Sequence, residues 1–356
     1  MARSLDGAGA EVVRLVLHGR RTTRAASAVR KVVHGLRGAT YIGGRSRARL
    51  RSYARQAGRM LTGEECDAVL ATNTTPVAHL SCDHPIVIWT DTTARGLIGF
   101  YPRHSRLAKR KIQDSLEADR RSLEQCRLAI FSSQWAADIA IATYGVPSSK
   151  VRVVPFGANI ESGLGADDVA AVVRSRPRDV CRMLFIGTDW ARKGGEHALA
   201  VLAELRRRGV RSELTVVGPA ASALDGMPDG VRLLGAVPVS TPAGRETIET
   251  ALAGSHFLLL PTLVDCCPIS LAEANSFGVP CLTTSIAGIP TVVRDDVNGR
   301  MLDPSAAPGQ YADYIAAMLA NPRGYERLAL SAHAEYAQTL NWRTAASTVL
   351  EMMERL

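Results

Sequence analysis

No stretch of this sequence approaches the roughly 18 consecutive apolar residues that a membrane-spanning helix needs; its longest candidates are as short as Phe257 to Leu260. The opening, MARSLDGAGAEVVRLVLHGRR, has no apolar core of the kind that follows the basic leader of a secretion signal. The expected location is therefore cytoplasmic. The seven cysteines (66, 82, 126, 181, 266, 267 and 281) are odd in number and scattered, with no C-x-x-C pair and no histidine at ligand spacing. That excludes a disulfide-stapled scaffold, argues for a reducing compartment, and removes a zinc site from consideration. Neither half of the chain has a G-x-G-x-x-G after its first expected strand, which weakens a dinucleotide-dependent oxidoreductase. There is no D-x-D to bind a metal–diphosphate, no repeat of 20–50 residues, and no low-complexity tract.

What is present is a folded chain of 356 residues, 46% hydrophobic and 22% charged, long enough for two domains with full cores. The net charge of +9 is unevenly placed. Residues 1–60 carry 14 Lys and Arg against 2 Asp and Glu, leaving 29 basic and 32 acidic residues for all the rest. A basic segment of this kind attracts nucleic acid, an anionic membrane surface or an anionic substrate. Tyr41 and Tyr53 lie within it, but no recognised nucleic-acid module does, so nucleic acid is not an expected partner.

Short β-branched runs alternate with helical periods. Strands are expected at Val12–His18, Asp67–Thr72, Pro85–Thr90, Leu128–Ser133 and Val151–Phe156, then at Arg182–Gly187, Glu213–Gly218, Val231–Gly235, His256–Pro261 and Val279–Thr284. Between them lie helices such as Gly195–Arg208, with Ala198, Val201, Leu202 and Leu205 on one stripe and Gly209 at the stop position. Near-continuous apolar strands alternating with helices predict an α/β protein with two Rossmann-like parallel sheets facing one cleft. The stretch 157–182 has no strand pattern and is expected to link the two. We place an N-terminal domain at 1–165, a C-terminal one at 166–340, and an amphipathic helix at 341–356.

In such sheets ligands bind at the carboxyl ends of strands. After Arg182–Gly187 comes GTDWARKGGEHAL, where Thr188 to Gly194 form a polar turn opening onto a helix. Free N–H groups at the helix start, its dipole, and Arg192 and Lys193 favour a phosphate there. The strand His256–Pro261 runs into TLVDCCPISLAEANSFGVPCL, with Asp265 and Glu273 separated by seven residues. A carboxylate on the first turns of a helix can hold a sugar diol through charge-assisted hydrogen bonds of about 1.5–3 kcal/mol. The N–H groups of Ile269 and Ser270 are available for a second phosphate, whereas Pro268 has none. The same two carboxylates also read as a dipole complement and a surface charge.

The order of elements, the loop ending in Lys193–Gly194, the Asp265-x7-Glu273 spacing, FGVPCLTTSIAGIPTVV and DDVNGRML resemble the retaining family 4 glycosyltransferases of GT-B fold. The resemblance covers about 181–305 and continues backward through IFSSQWAADIAIATYGVPSSKVRVVPFGAN. It implies that Lys193, with Arg192 in place of the family's arginine at the Thr188 position, binds a donor diphosphate. It further implies that Glu273 binds the ribose, that Asp265, a shorter arm than the family's glutamate, sits beside the sugar, and that the loop at Ala236–Val237 lies near the base. In the loop after Pro85–Thr90, Asp91 is the N-terminal candidate to stand near the sugar, beside Thr92; the alternative is a helix cap. His79 and His104 have no partner in the sequence that marks either as a base.

The expected activity is retaining transfer, without metal or resident cofactor, from a nucleoside-diphosphate sugar to a carbohydrate or lipid-linked hydroxyl acceptor in polysaccharide, lipopolysaccharide or glycolipid synthesis. The alternatives are a GT-B nucleotide-sugar epimerase and a non-catalytic nucleotide-sugar binder. Peripheral contact with an anionic membrane is part of the first reading. Family members begin with a strand and a glycine-rich loop, while this chain starts near what resembles their second strand, so the expectation is either a truncated start or an N-terminal sheet reduced by its first strand. The resemblance also implies that the last helix returns to the N-terminal domain.

Overall fold

Four parallel strands and six parallel strands form two separate sheets in the computed structural model of the chain, which describes residues 1–18, 46–104, 107–223, 226 and 228–356. The first sheet belongs to a unit formed by Met1–Val154 and Ala346–Leu356, and the second to a unit formed by Pro155–Ala345.

The first unit contains, in chain order, α1 (Ala2–Asp6), α2 (Arg47–Leu61), β1 (Val69–Ala71), β2 (Ile86–Thr90), α3 (Ala94–Leu97), α4 (Lys109–Gln125), β3 (Leu128–Phe131), α5 (Gln134–Tyr144) and β4 (Val151–Val153). The strands lie side by side in the order β1-β2-β3-β4. Every residue of β2 and β3 is buried, which is why both read as unbroken apolar runs rather than alternating ones. Trp89 is wholly buried, and its indole Nε1–H donates to Val154 O at 3.2 Å, so the one polar atom of the ring is satisfied. In α2, Leu50, Ala54, Ala57 and Leu61 form the buried stripe. Arg47, Arg51, Arg55 and Arg59, four residues apart, form an exposed ridge.

The expected strand Val12–His18 is corrected by the structure. These residues make no ladder; Leu15 and Leu17 pack onto the core while Val13 and Val16 stay exposed. Apolar character alone does not make a strand without a neighbour to pair with. Among the described residues the sheet begins at Val69. Tyr41 and seven of the fourteen basic residues of the first sixty lie outside the described residues.

The second unit contains α6 (Ala166–Ser175), β5 (Cys181–Ile186), α7 (Gly195–Arg207), β6 (Ser212–Val217), β7 (Val231–Gly235), α8 (Pro242–Ala253), β8 (Phe257–Leu260), α9 (Ile269–Ser276), β9 (Cys281–Thr284), α10 (Ile289–Val292), β10 (Gly299–Leu302), α11 (Pro308–Ala320) and α12 (Pro322–Thr339). The final helix, α13 (Trp342–Met353), starts here, and from Ala346 its residues count with the first unit. The sheet order is β10-β9-β8-β5-β6-β7. The central β8 and β9 are buried throughout, while the edge strands β7 and β10 are mostly half-buried.

Two elements depart most plainly from the sequence reading. β10 is short and half-exposed. The other, α6, falls in the stretch expected to be a linker, where Val169, Ala170 and Val173 face the core. Just beyond it, buried Arg176 donates to the carbonyls of Ala253, Phe277 and Gly278 and to the Tyr325 hydroxyl. A guanidinium has five N–H donors in a fixed fork, so one arginine satisfies four acceptors from three elements and their turns.

Candidate functional site

The loops that follow β5 and β8 lie side by side in the second unit. Leu263 N–H and Thr262 Oγ1–H both donate to Arg192 O, at 2.9 and 3.2 Å, which zips the two loops together. After β5 the chain turns tightly, with Lys193 N–H donating to Asp189 O and Gly195 N–H to Trp190 O, and α7 starts from Gly194. Gly194 has φ +76°, and a Cβ there would lie 1.9 Å from Pro261 O. Only glycine both adopts that backbone and admits that approach.

This turn delivers two cations to one acid. The Lys193 ammonium pairs with Asp265 Oδ2. Arg192 reaches the same oxygen at 3.1 Å and also donates to Val264 O at 2.7 Å, while its Nε meets Asp189 Oδ2 at 3.2 Å. Asp265 and Lys193 are 7% and 9% exposed, so their pairing is held in a largely dry environment where charges are weakly screened. Asp265 lies at the end of the β8 loop, three residues before Pro268, from which α9 departs.

The first two N–H groups of α9, at Ile269 and Ser270, have no carbonyl four residues back within the helix. Glu273, one turn further on, is 8% exposed. Burial pushes its carboxyl up from 4.5 to about 7; hydrogen bonds from the N–H groups of Asn159 and Ile160 and the charge of Lys193 oppose that rise. Glu273 is thus a buried acid that titrates near neutrality, in electrostatic reach of the lysine on the other loop. The sequence offered no sign of Asn159 and Ile160, because they act through their backbones and any residue but proline supplies the same donor.

The structure therefore brings together Lys193, Arg192, Asp265, Glu273 and the start of α9. Thr188 is exposed directly after β5, beside the same turn. Val237 is half-buried beyond the end of the edge strand β7, two strands away from β5. Asp91 belongs to the first unit, exposed at the end of β2, with its Oδ1 accepting from Thr92 N–H at 2.8 Å. The pairing of both cations with Asp265 is new relative to the sequence reading, in which the acid and the bases faced different parts of a ligand.

Residues 181–321 match the family model described as "Glycosyl transferases group 1", and residues 1–162 match "Glycosyltransferase Family 4". The D-inositol 3-phosphate glycosyltransferase of Streptomyces griseus is 28% identical over 231 residues, covering 61% of this chain and 48% of that protein. That of Streptomyces coelicolor is 29% identical over 242 residues, covering 61% and 52%. The chain thus spans about half the length of these curated relatives. Among solved structures, sucrose-phosphate synthase from Thermosynechococcus elongatus superposes with a TM-score of 0.68 at 16% identity, over 89% of this chain and 80% of that one. Anabaena HepE in complex with UDP-glucose gives 0.62 at 17% identity, over 85% and 82%. At such identities the likeness is one of fold.

Proposed function

Because the chain belongs to the group 1, family 4 glycosyltransferases and has their GT-B fold, we propose that it transfers a sugar, with retention, from a nucleoside-diphosphate sugar to a hydroxyl acceptor. The observation that carries this reading is the convergence of Arg192 and Lys193 on one carboxylate beside a buried, near-neutral Glu273, at the carboxyl ends of adjacent strands β5 and β8. Two cations stand here beside the helix-start N–H groups of α9, and a diphosphate is a ligand that can accept from all of them. UDP-glucose in the HepE complex is a donor of this chemistry, and inositol 3-phosphate in the relatives' names is a hydroxyl acceptor.

In this reading Lys193, Arg192 and the N–H groups of Ile269 and Ser270 bind the diphosphate, with Thr188 at its edge. Glu273 binds the ribose, Asp265 the donor sugar, and Val237 packs near the base. The acceptor oxygen bonds to the anomeric carbon on the face from which the diphosphate leaves. The carbon–oxygen bond to the diphosphate breaks, and the acceptor proton passes to a diphosphate oxygen. Negative charge accumulates on the leaving group, so fixed cations and helix dipoles act most strongly as the bond opens. No side chain need act as nucleophile or hold a metal.

Glu273→Ala tests the assignment. Loss of a charge-assisted ribose contact of about 1.5–3 kcal/mol lowers kcat/KM for the donor by about 10–100-fold. Undiminished donor binding and transfer would refute it, and donor conversion without any acceptor would point to an epimerase instead. Peripheral membrane contact is part of the proposal and rests on the exposed ridge Arg47, Arg51, Arg55 and Arg59, at about 1 kcal/mol for each basic residue near an anionic leaflet. Vesicle co-sedimentation with no preference for anionic lipid would remove it.

A further inference from the structure

Trp190 stands in the middle of the turn between β5 and α7, and no step of the transfer employs it. It is 6% exposed, and its ring meets that of Phe185, on β5, at a centroid distance of 5.0 Å. Three bonds of the turn close around it: Lys193 N–H donates to Asp189 O, Gly194 N–H to Ala191 O, and Gly195 N–H to Trp190 O itself. A Cβ at Gly195 would lie 2.0 Å from Trp190 Cδ2, so the first residue of α7 rests on the indole at a distance that only glycine allows.

The indole also has a polar tie. Its Nε1–H donates to Glu196 Oε1 at 2.7 Å, in the first turn of α7. A buried tryptophan needs an acceptor for its one donor, and a carboxylate is the stronger kind. One side chain thus joins the core at Phe185, the backbone at Gly195 and the first turn of α7 at Glu196. Lys193 is closely packed as well: a Cβ at Gly187, just past β5, would lie 2.8 Å from Lys193 Cγ, so the lysine stem lies against the strand end. Any shift of the turn that Trp190 supports carries the lysine with it.

We propose that Trp190 and Glu196 form a clamp that positions the loop after β5, the indole setting where α7 starts and so where Arg192 and Lys193 present their charges to a diphosphate. Both act through the turn and neither touches the ligand, so they are positioning residues. The inference rests on the glycosyl-transfer reading, in which this turn receives the donor. Binding groups whose own conformations are locked by packing and hydrogen bonds lose little freedom when a ligand arrives, whereas a loose turn is ordered only at a cost in affinity. The clamp also directs the acid of the first turn of α7 to the indole, rather than to the helix start where it would compete with an anion.

The test is calorimetric titration of the full chain with UDP, GDP and ADP, well below the melting temperature of each variant. Trp190→Phe keeps a ring against Phe185 and Gly195 but has no N–H to donate. Glu196→Ala removes the acceptor, whereas Glu196→Gln keeps it at the same charge as Glu196→Ala, so the difference between these two reads the bond and not the electrostatics. Trp190→Phe and Glu196→Ala should each weaken the nucleotide that binds the parent by about two- to tenfold, the range that one hydrogen bond spans. Glu196→Gln should bind more tightly than Glu196→Ala, and the Trp190→Phe, Glu196→Ala double variant no more weakly than Trp190→Phe alone. Equal affinities of Glu196→Ala and Glu196→Gln, or parental affinity in Trp190→Phe, would overturn the proposal. Amide exchange in the free protein gives a readout that needs no nucleotide. The N–H groups of Gly194 and Gly195 should exchange faster in Trp190→Phe and Glu196→Ala but not in Glu196→Gln, with those of β6 unchanged, since a general loss of stability speeds both. A parent that binds none of the three nucleotides overturns the donor reading; the clamp is then upheld by faster exchange confined to the turn and overturned by exchange that is unchanged or uniformly faster.

Discussion

Replacing Glu273 by glutamine separates what this acid costs the fold from what it does for a ligand. Burial raises the Glu273 carboxyl from 4.5 to about 7, and a displacement of that size corresponds to about 3 kcal/mol. The folded state holds this proton more tightly than the unfolded chain. The stability it contributes is therefore complete below 4.5 and is lost as the pH rises through 7.

A second buried group in the same unit works in the opposite sense. His256, 4% exposed, accepts from Arg182 N–H at Nδ1 and faces Pro177 O with Nε2, and burial lowers its value from 6.5 to about 4. Its contribution is present above 6.5 and is lost as the pH falls towards 4. The two dependences overlap between about 4.5 and 6.5 and nearly cancel there, so the parent protein should show a flat stability profile across that window. Glu273→Gln keeps an oxygen for the Asn159 and Ile160 N–H groups but cannot ionise. At about pH 8 the variant should be more stable than the parent by about 3 kcal/mol, and at about pH 4.5 nearly equal to it. Below 6.5 its own stability should fall, with the histidine term uncovered. Urea denaturation followed by tryptophan fluorescence from acid to mildly alkaline pH measures this directly. Parallel profiles for variant and parent would refute the reasoning, because the carboxyl would then not be desolvated.

Other outcomes follow from the same geometry. Asp265→Asn leaves buried Lys193 without its carboxylate and should destabilise the protein by about 3 kcal/mol; UDP should then raise the melting temperature of the variant more than that of the parent, because phosphate oxygens replace the lost acid. Equal UDP-induced rises would contradict this. Gly194→Ala forces a side chain onto a left-handed backbone and against Pro261 O, at a cost of about 2 kcal/mol or more, and by shifting the Lys193 turn it should raise KM for the donor; an unchanged melting temperature would show that the turn is pliable. Transfer should survive a chelator such as EDTA, since Arg192, Lys193 and the start of α9 supply the positive charge, and complete loss of activity restored by a divalent cation would overturn that part of the account.

The loops after β5 and β8 were legible in the sequence because they combine signals that local chemistry enforces. A glycine-ended turn with two cations, and two carboxylates with seven residues between them around a proline, each constrain what the backbone can do. The central strands were legible because burial on both faces makes them continuous apolar runs. The failures have equally local causes. α6 carries only a narrow apolar stripe of Val169, Ala170 and Val173 among charges and small residues, and its place is fixed by Arg176, whose acceptors are carbonyls from residues distant in sequence. Val12–His18 has strand composition but no ladder partner. The ion pairs of Arg192 and Lys193 with Asp265 join positions more than 70 apart in the chain, and no spacing rule within either loop announces them.

The central claim is that a nucleoside-diphosphate sugar binds the second unit through Lys193 and Glu273. Thermal unfolding in the presence of UDP-, GDP- and ADP-sugars tests it most directly, because a ligand that binds only the folded state must raise its melting temperature. One donor class should raise the midpoint in the parent protein by an amount that grows with concentration, and should lose most of that effect in Lys193→Met and Glu273→Ala. Stabilisation by none of these donors, or equal stabilisation of the parent and both variants, would contradict the account.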